Sequence, residues 1–214
     1  MKLAPEYQCP TEFEEFLDSA KGERAICRRI AERSQILYWA LCTGGHDRYV
    51  FKEFPLGNSY VVDFAVLNSH SGSWQVTFVE FEPIDAKLFT RSGVPSKRLA
   101  SALKQVDDWA EYFAQHKPQI RADLVRWAKK KDILGYASGN EPCNFSGDRL
   151  ADPSTSLFDQ YCIFIGRRLL SSSEDLRRKS MFQSRHNVEI ATYDRLLDLV
   201  RQRYRDPYLF VNPA

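Results

Sequence analysis

Three carboxylates are the residues of this chain best suited to chemistry. Asp63 stands inside the apolar run YVVDFAVL, and Glu80 and Glu82 close the run WQVTFVEFEP. Side chains alternate across an extended strand, so Glu80 and Glu82 share a face with Trp74, Val76 and Phe78, while Asp63 shares one with Val61 and Ala65. Residues 74–83 are apolar on both faces, as in an interior strand of a covered sheet. A carboxylate buried there alone would take up a proton sooner than keep its charge, so a positive group is expected beside it. Two kinds fit. A divalent cation such as Mg²⁺ takes oxygen ligands, keeps several waters, can activate one of them and can neutralise charge on a phosphodiester. Ordinary ion pairs with Lys87, Arg91 or Arg98 are the other solution.

The elements around these residues must bring them together. Residues 49–54 and 59–67 alternate as strands around a turn at Leu56-Gly57-Asn58. The Ser-, Gly- and Asn-rich residues 68–73 predict a hairpin into the third strand, which makes the second and third strands antiparallel neighbours. Upstream, Thr11 with Glu14 is a capping-box signature for a short helix ending at Gly22. Helical spacing of Ile26, Ile30, Ile36, Leu37 and Leu41 predicts one helix over 23–41, closed by Thr43-Gly44-Gly45. Downstream, residues 84–95 read as a loop over the end of the sheet. Ser96 then caps a long helix to about His116, with Leu99, Leu103, Val106, Ala110 and Phe113 on its buried stripe and Arg98, Gln105, Trp109 and Tyr112 along a flank. Pro118 starts a further, basic helix ending near Asp132. Residues 135–158, rich in Gly, Ser, Asn, Asp and Pro, predict an exposed insertion. A strand at 161–166, a helix at 173–182, a strand at 188–192 and a helix at 193–204 complete a βαβ pattern with parallel strands.

Composition bounds the rest. A chain of 214 residues, 43% hydrophobic and 13% aromatic, has the make-up of a globular domain, and a net charge of +2 names no partner. Basic residues are unevenly placed: Arg167, Arg168, Arg177, Arg178, Lys179 and Arg185 form one group, and Arg126 with Lys129, Lys130 and Lys131 another. Such groups are solvated helix faces or places to hold phosphate. Five scattered cysteines without a C-x-x-C pair argue against a disulfide framework and a zinc site. The chain shows no membrane-length apolar run and no signal-peptide core, so a cytoplasmic location and no membrane partner are expected. No Gly-rich phosphate loop, G-x-S-x-G motif or histidine ligand spacing occurs.

The order of elements resembles the core of PD-(D/E)xK nucleases. More specifically, FPLGNSYVVDFAVL, VEFEP, KLFTRSGVPSKRLASALKQVDDW, IFIGRR and EIATYDRLL are similar, in this order, to successive blocks of the Shedu anti-phage nuclease domain. The resemblance spans residues 22–197. It implies an α/β fold with a restriction-endonuclease-like core, a central mixed sheet flanked by helices, occupying residues 22–206. Residues 1–21 would be a tail and short helix, 207–214 a second tail, and the chain a compact form whose sensing falls to loops such as 135–158 or to assembly. The resemblance further implies an Mg²⁺- or Mn²⁺-dependent endonuclease acting on double-stranded phage or plasmid DNA, as a homo-oligomer, dimer or tetramer. Asp63 and Glu80 would bind the metal, with Glu23 from the preceding helix as a further ligand and Gln105 positioning water or phosphate; Trp109 stands where related enzymes often have tyrosine. Glu82 departs from the pattern, which has lysine there. It would be a ligand or the base, and the missing cation would come from Lys87, Lys97 or Lys104. Arg98, Arg167, Arg168, Arg177 and Arg178 would grip the DNA backbone. The alternative is a catalytically inactive nuclease-fold module that binds DNA or senses.

Overall fold

The computed structural model describes residues 9–42, 48–130 and 141–205. The expected turn at Thr43-Gly44-Gly45, positions 135–140 of the expected insertion, the tail residues 1–8 and 207–214, Lys131 and the side chain of Lys130 lie outside the described residues.

Alternating apolar residues give β1 (Arg48–Leu56), β2 (Tyr60–His70) and β3 (Ser73–Phe81), which form an antiparallel meander. β4 (Ser156–Phe164) lies parallel to β3, and β5 (Glu189–Ala191) parallel to β4, so the sheet is mixed, in the order β1-β2-β3-β4-β5. This is the expected α/β architecture, with the predicted hairpin and the predicted parallel pair both present.

The period-two pattern of β3 builds two cores at once. Trp74, Val76 and Phe78 point to one side and pack with Leu99, Val106 and Trp109 of α4 (Lys97–Lys130). Val79 and Phe81 point to the other, where Phe13 of α1 (Pro10–Ser19), Ile26 and Ile30 of α2 (Glu23–Glu32), Leu37 of α3 (Gln35–Leu41) and Leu196 of α6 (Asp194–Arg205) cover them. Each such fully buried side chain contributes about 2 kcal/mol relative to exposure. α1 lies against α6, where Arg201 pairs with Glu14, and Arg167 bonds both Asp18 at 2.6 Å and Asp194 at 3.0 Å. Among the described residues no helix is long and apolar enough to cross a membrane.

Two expectations are corrected and one is met. The single helix over 23–41 is two, because the chain breaks at Arg33 (φ −140°, ψ 52°). α3 buries Ile36, Leu37, Tyr38 and Ala40, more of its circumference than one stripe of a surface helix provides, and the break lets it turn into the core. The expected break between a helix ending near His116 and a second one from Pro118 is present: His116 is non-helical (φ −123°, ψ 21°), and α4 comprises the two helices on either side of that kink. Finally, residues 141–158 are no loose insertion. β4 starts at Ser156, Leu150 is fully buried, Asn144 donates its side-chain amide to the His70 carbonyl at 3.0 Å, and the Trp74 indole donates to the Asp148 carbonyl at 3.3 Å.

Arg121 of α4 ties this segment down. Its guanidinium donates to the carbonyls of Leu150 (2.6 Å), Asp152 (3.0 Å) and Thr155 (2.6 Å). Removing it orphans three carbonyls, two of the bonds being buried, and a charge-assisted bond contributes about 1.5–3 kcal/mol. Arg121→Ala is therefore expected to lose about 3 kcal/mol of unfolding free energy in urea titration, and to open residues 141–155 to hydrogen exchange before the rest of the sheet. A loss below about 0.5 kcal/mol would show these carbonyls to be as well served by water.

Candidate active site at the carboxyl end of strand β3

The paired ladder of β2 and β3 ends at Phe64 and Val79; Asp63 and Glu80 are the next residues on the two strands, and the charge of Asp63 acts on Glu80. Gln105 of α4 donates its side-chain amide to Glu80 Oε2 at 3.1 Å. Asp63 Oδ2 accepts the backbone N–H of Phe81 at 2.8 Å, which fixes its carboxylate across the end of β3.

Glu82 lies just beyond β3 and is only 6% exposed. Its backbone is held on both sides: its N–H donates to the Phe164 carbonyl at 2.8 Å, and its carbonyl accepts the Tyr193 hydroxyl at 2.7 Å. Gly166 supports the turn that follows. Its φ is +66°, its N–H donates to the Pro83 carbonyl at 3.2 Å, and a Cβ there would stand 2.2 Å from the Ala86 carbonyl oxygen, so no other residue fits. The side chain is less well served: Glu82 Oε2 is buried without a hydrogen-bond partner, and its nearest cation, Arg98, approaches only to 3.9 Å.

Electrostatics follows from this crowding. Burial, reinforced by the charges of Asp63, Glu82 and Glu23, pushes the Glu80 carboxyl up to about 9, against the opposing bond from Gln105. Burial raises Asp63 to about 6, with Glu23 and Glu53 adding to the rise while the Phe81 amide and Lys52 oppose it. Glu82 is pushed up to about 7, again by burial first, with Arg98 opposing and Glu23 and Asp63 adding. The four acids thus feel one another, and local cations do not balance them.

Of the residues singled out in the sequence, Asp63, Glu80, Glu82, Gln105 and Glu23 are brought to one place, with Arg98 at its rim. Others are not. Lys87 is exposed and acts on Asp175, and Lys97 and Lys104 are exposed as well. Arg167 is buried between Asp18 and Asp194, a structural ion pair and not a surface grip. Arg168 pairs with Asp198, and Arg178 with Glu174 and Asp175, while Arg177 is exposed. Two residues the sequence did not single out stand near the acids. Lys52 of β1 lowers Asp63, and the half-buried Cys27 of α2 is pushed up to about 12 by burial and then by Asp63 and Glu23. Lys52 is signalled only by register, since Lys52 pairs with Phe64, the neighbour of Asp63.

Among the described residues no group of three or more His, Cys, Asp or Glu side chains is arranged to hold a metal ion. The donor set fits a divalent cation of one kind: Mg²⁺ bound through one or two carboxylates with water completing its shell. Asp63 and Glu80 would hold it: the charge of Asp63 acts on Glu80, Asp63 has a second carboxylate oxygen beyond the one bonded to Phe81, and the buried Glu82 Oε2 is without a hydrogen-bond partner.

Fold and site together define an α/β domain with a restriction-endonuclease-like core and an acidic cluster where the carboxyl end of β3 meets the amino-terminal part of β2. Residues 20–197 match the family model described as Shedu protein SduA, C-terminal, and the chain belongs to that family. The membership supports a role in anti-phage defence. No curated protein matches the chain.

The raised acids have a measurable consequence. A carboxyl whose pKa is higher folded than unfolded keeps the folded state the better proton binder between the two values, so stability falls as pH rises through that window. The window runs from the ordinary 4.5 to about 9 for Glu80 and to about 7 for Glu82. The melting temperature of metal-free protein is expected to fall from about pH 5 to pH 9, and Glu80→Gln to flatten the upper half of that slope. Scanning calorimetry across the range checks both; a profile that rises with pH contradicts the crowding.

Proposed function

We propose that this protein is a metal-dependent endonuclease that hydrolyses phosphodiesters of double-stranded DNA, phage or plasmid, as the effector of Shedu-type defence. One observation carries the proposal: Asp63 and Glu80 lie near enough on adjacent strands for the charge of Asp63 to act on Glu80, with Gln105 bonded to Glu80, in a setting that raises both acids. Such a desolvated pair is costly to the fold and useful for binding a cation. Asp63 and Glu80 would hold Mg²⁺ or Mn²⁺, with Glu23 and Glu82 near enough to act through water. The bound ion would offset charge on the phosphodiester and lower the pKa of a water.

This chain's own residues would do the rest. Gln105 orients the Glu80 carboxylate and leaves its remaining amide hydrogen for a phosphate oxygen or water. Glu82, poised near neutrality, accepts a proton from the attacking water. Lys52, on the strand beside Asp63 and paired with the exposed Glu53 at 3.2 Å, would supply positive charge in place of the lysine that Glu82 displaces, and Arg98 would do so at the rim. Arg98, mostly exposed and only 3.9 Å from Glu82, and the exposed Arg177 are left to meet the DNA backbone, while Arg167, Arg168 and Arg178 are held closely by carboxylates. Cutting both strands calls for two such sites, hence a homo-oligomer.

A second reading has its own support. Glu82 stands at the lysine position, and an acid in that place is also what a nuclease fold turned binding or sensing module would tolerate.

Plasmid incubated with protein and Mg²⁺ or Mn²⁺ separates the two. Nicking is expected for the wild type and none for Asp63→Asn or Glu80→Gln, each of which also gains thermal stability without metal because one acid that folding must desolvate or protonate is gone. Glu82→Ala is expected to slow cleavage by a factor of about 100 or more. Lys52→Met lowers the rate while leaving the metal-dependent rise in melting temperature in place. An inactive wild type that gains activity with Glu82→Lys establishes the second reading.

A further inference from the structure

A cleft of about 270 Å³ opens at the far edge of the sheet, between α5 (Ser173–His186), β5 and α6. β5 is the edge strand, and the cleft lies along it to Thr192, at its carboxyl end. Ligands of open α/β sheets collect outside the carboxyl ends of the strands, and this is the same end of the sheet that carries Glu80 and Glu82.

Three cations line the cleft: Arg168, Lys179 and Arg195. Two carboxylates line it as well, and each is committed to an arginine, Asp198 to Arg168 and Glu189 to Arg195. Lys179 is left over. It is half-buried, forms no ion pair among the described residues, and has the two guanidiniums as its electrostatic neighbours. Burial first, then Arg195 and Arg168, hold its ammonium below the usual lysine range. A lysine kept among cations with no anion to offset them costs stability unless an anion arrives from outside.

We propose that this cleft is a phosphate-binding site, with Lys179 as the central cation, Arg168 and Arg195 as its walls, and Gln183 and Thr192 as neutral hydrogen-bond donors. The charge count matches: three cations against two carboxylates leave one positive charge, which a phosphate anion neutralises. So does the size, which falls just below the roughly 300–1,000 Å³ of drug-sized ligand sites and suits one phosphate with part of what it is attached to. α5 offers polar groups here because its residues are mostly solvent-facing, with none fully buried, so Lys179 and Gln183, one turn apart, are free to face β5 together. The site requires neither metal nor cleavage, and it stands whether or not the acidic cluster is catalytic. The phosphate could belong to DNA or be free.

The test is run with EDTA throughout, so that no DNA is cut. Inorganic phosphate is titrated into wild type, Lys179→Met, Lys179→Arg and Gln183→Met, following both melting temperature and calorimetric binding. Phosphate is expected to raise the wild-type melting temperature. Lys179→Met, which keeps the stem and removes the charge, is expected to melt higher than wild type in phosphate-free buffer and to bind phosphate at least tenfold more weakly. Lys179→Arg retains binding, and Gln183→Met weakens it by a smaller factor with all charges in place. A wild type that neither binds phosphate nor gains stability from it overturns the site, as does binding that neither Lys179→Met nor Gln183→Met changes. Three DNA arms then identify the source. A loss in Lys179→Met confined to linear duplex with 5′-phosphates, against the same duplex with 5′-hydroxyls, assigns the site to a DNA end. A loss on closed circular plasmid assigns it to internal phosphodiesters, and phosphate binding without any DNA effect assigns it to a free phosphate or nucleotide.

Discussion

β3 is covered on both faces, and it hydrogen-bonds to an antiparallel neighbour on one side and a parallel one on the other. A strand so enclosed has no solvent to hydrate a charge until its cover thins at the carboxyl end, where Glu80 and then Glu82 occur. Their desolvation is therefore built into the position of the strand and not added by a particular neighbour. Everything nearby responds to it: Gln105 reaches from α4 to one carboxylate, the Phe81 amide holds Asp63, and the Glu82 backbone is anchored to β4 and Tyr193. These contacts fix direction but leave charge uncompensated, which is the usual signature of a site that completes itself with a ligand.

Much of this could be read in the chain because it is local. The β2–β3 hairpin follows from alternation and a polar turn, and it brings Asp63 and Glu80 near matching ends of neighbouring strands. The parallel β4–β5 pair follows from strand, helix, strand. What could not be read depends on contacts distant in sequence. Arg121 and the carbonyls of residues 150–155 meet only after α4 has folded back, so a polar, Gly- and Pro-containing stretch looked loose although it is tied down. Lys52 looked like an ordinary strand residue because nothing in one strand tells which charge lies across its neighbour. Arg167 looked like a surface cation because its partners, Asp18 and Asp194, come from opposite parts of the chain.

The basic residues show how composition misleads when pairs are not known. Arg167, Arg168, Arg178, Arg195 and Arg201 are bonded to carboxylates of α1, α5, α6 or β5, and their charges largely cancel in place. A cluster counted in sequence is thus not a field in space. Positive charge remains effective only where pairing is incomplete, and Lys179 is such a place.

The contact between α1 and α6 carries one more implication, for the order in which the protein comes to life on the ribosome. The helix that emerges early rests on one of the last to be made, and the hydroxyl that holds the Glu82 backbone comes from Tyr193, immediately before that late helix. Contacts so far apart in sequence form slowly, since a long loop must close before they are rewarded. A nascent chain can pair β1, β2 and β3 yet cannot finish the acidic end of the sheet. The acidic end of the sheet is thereby completed only after translation has passed Tyr193.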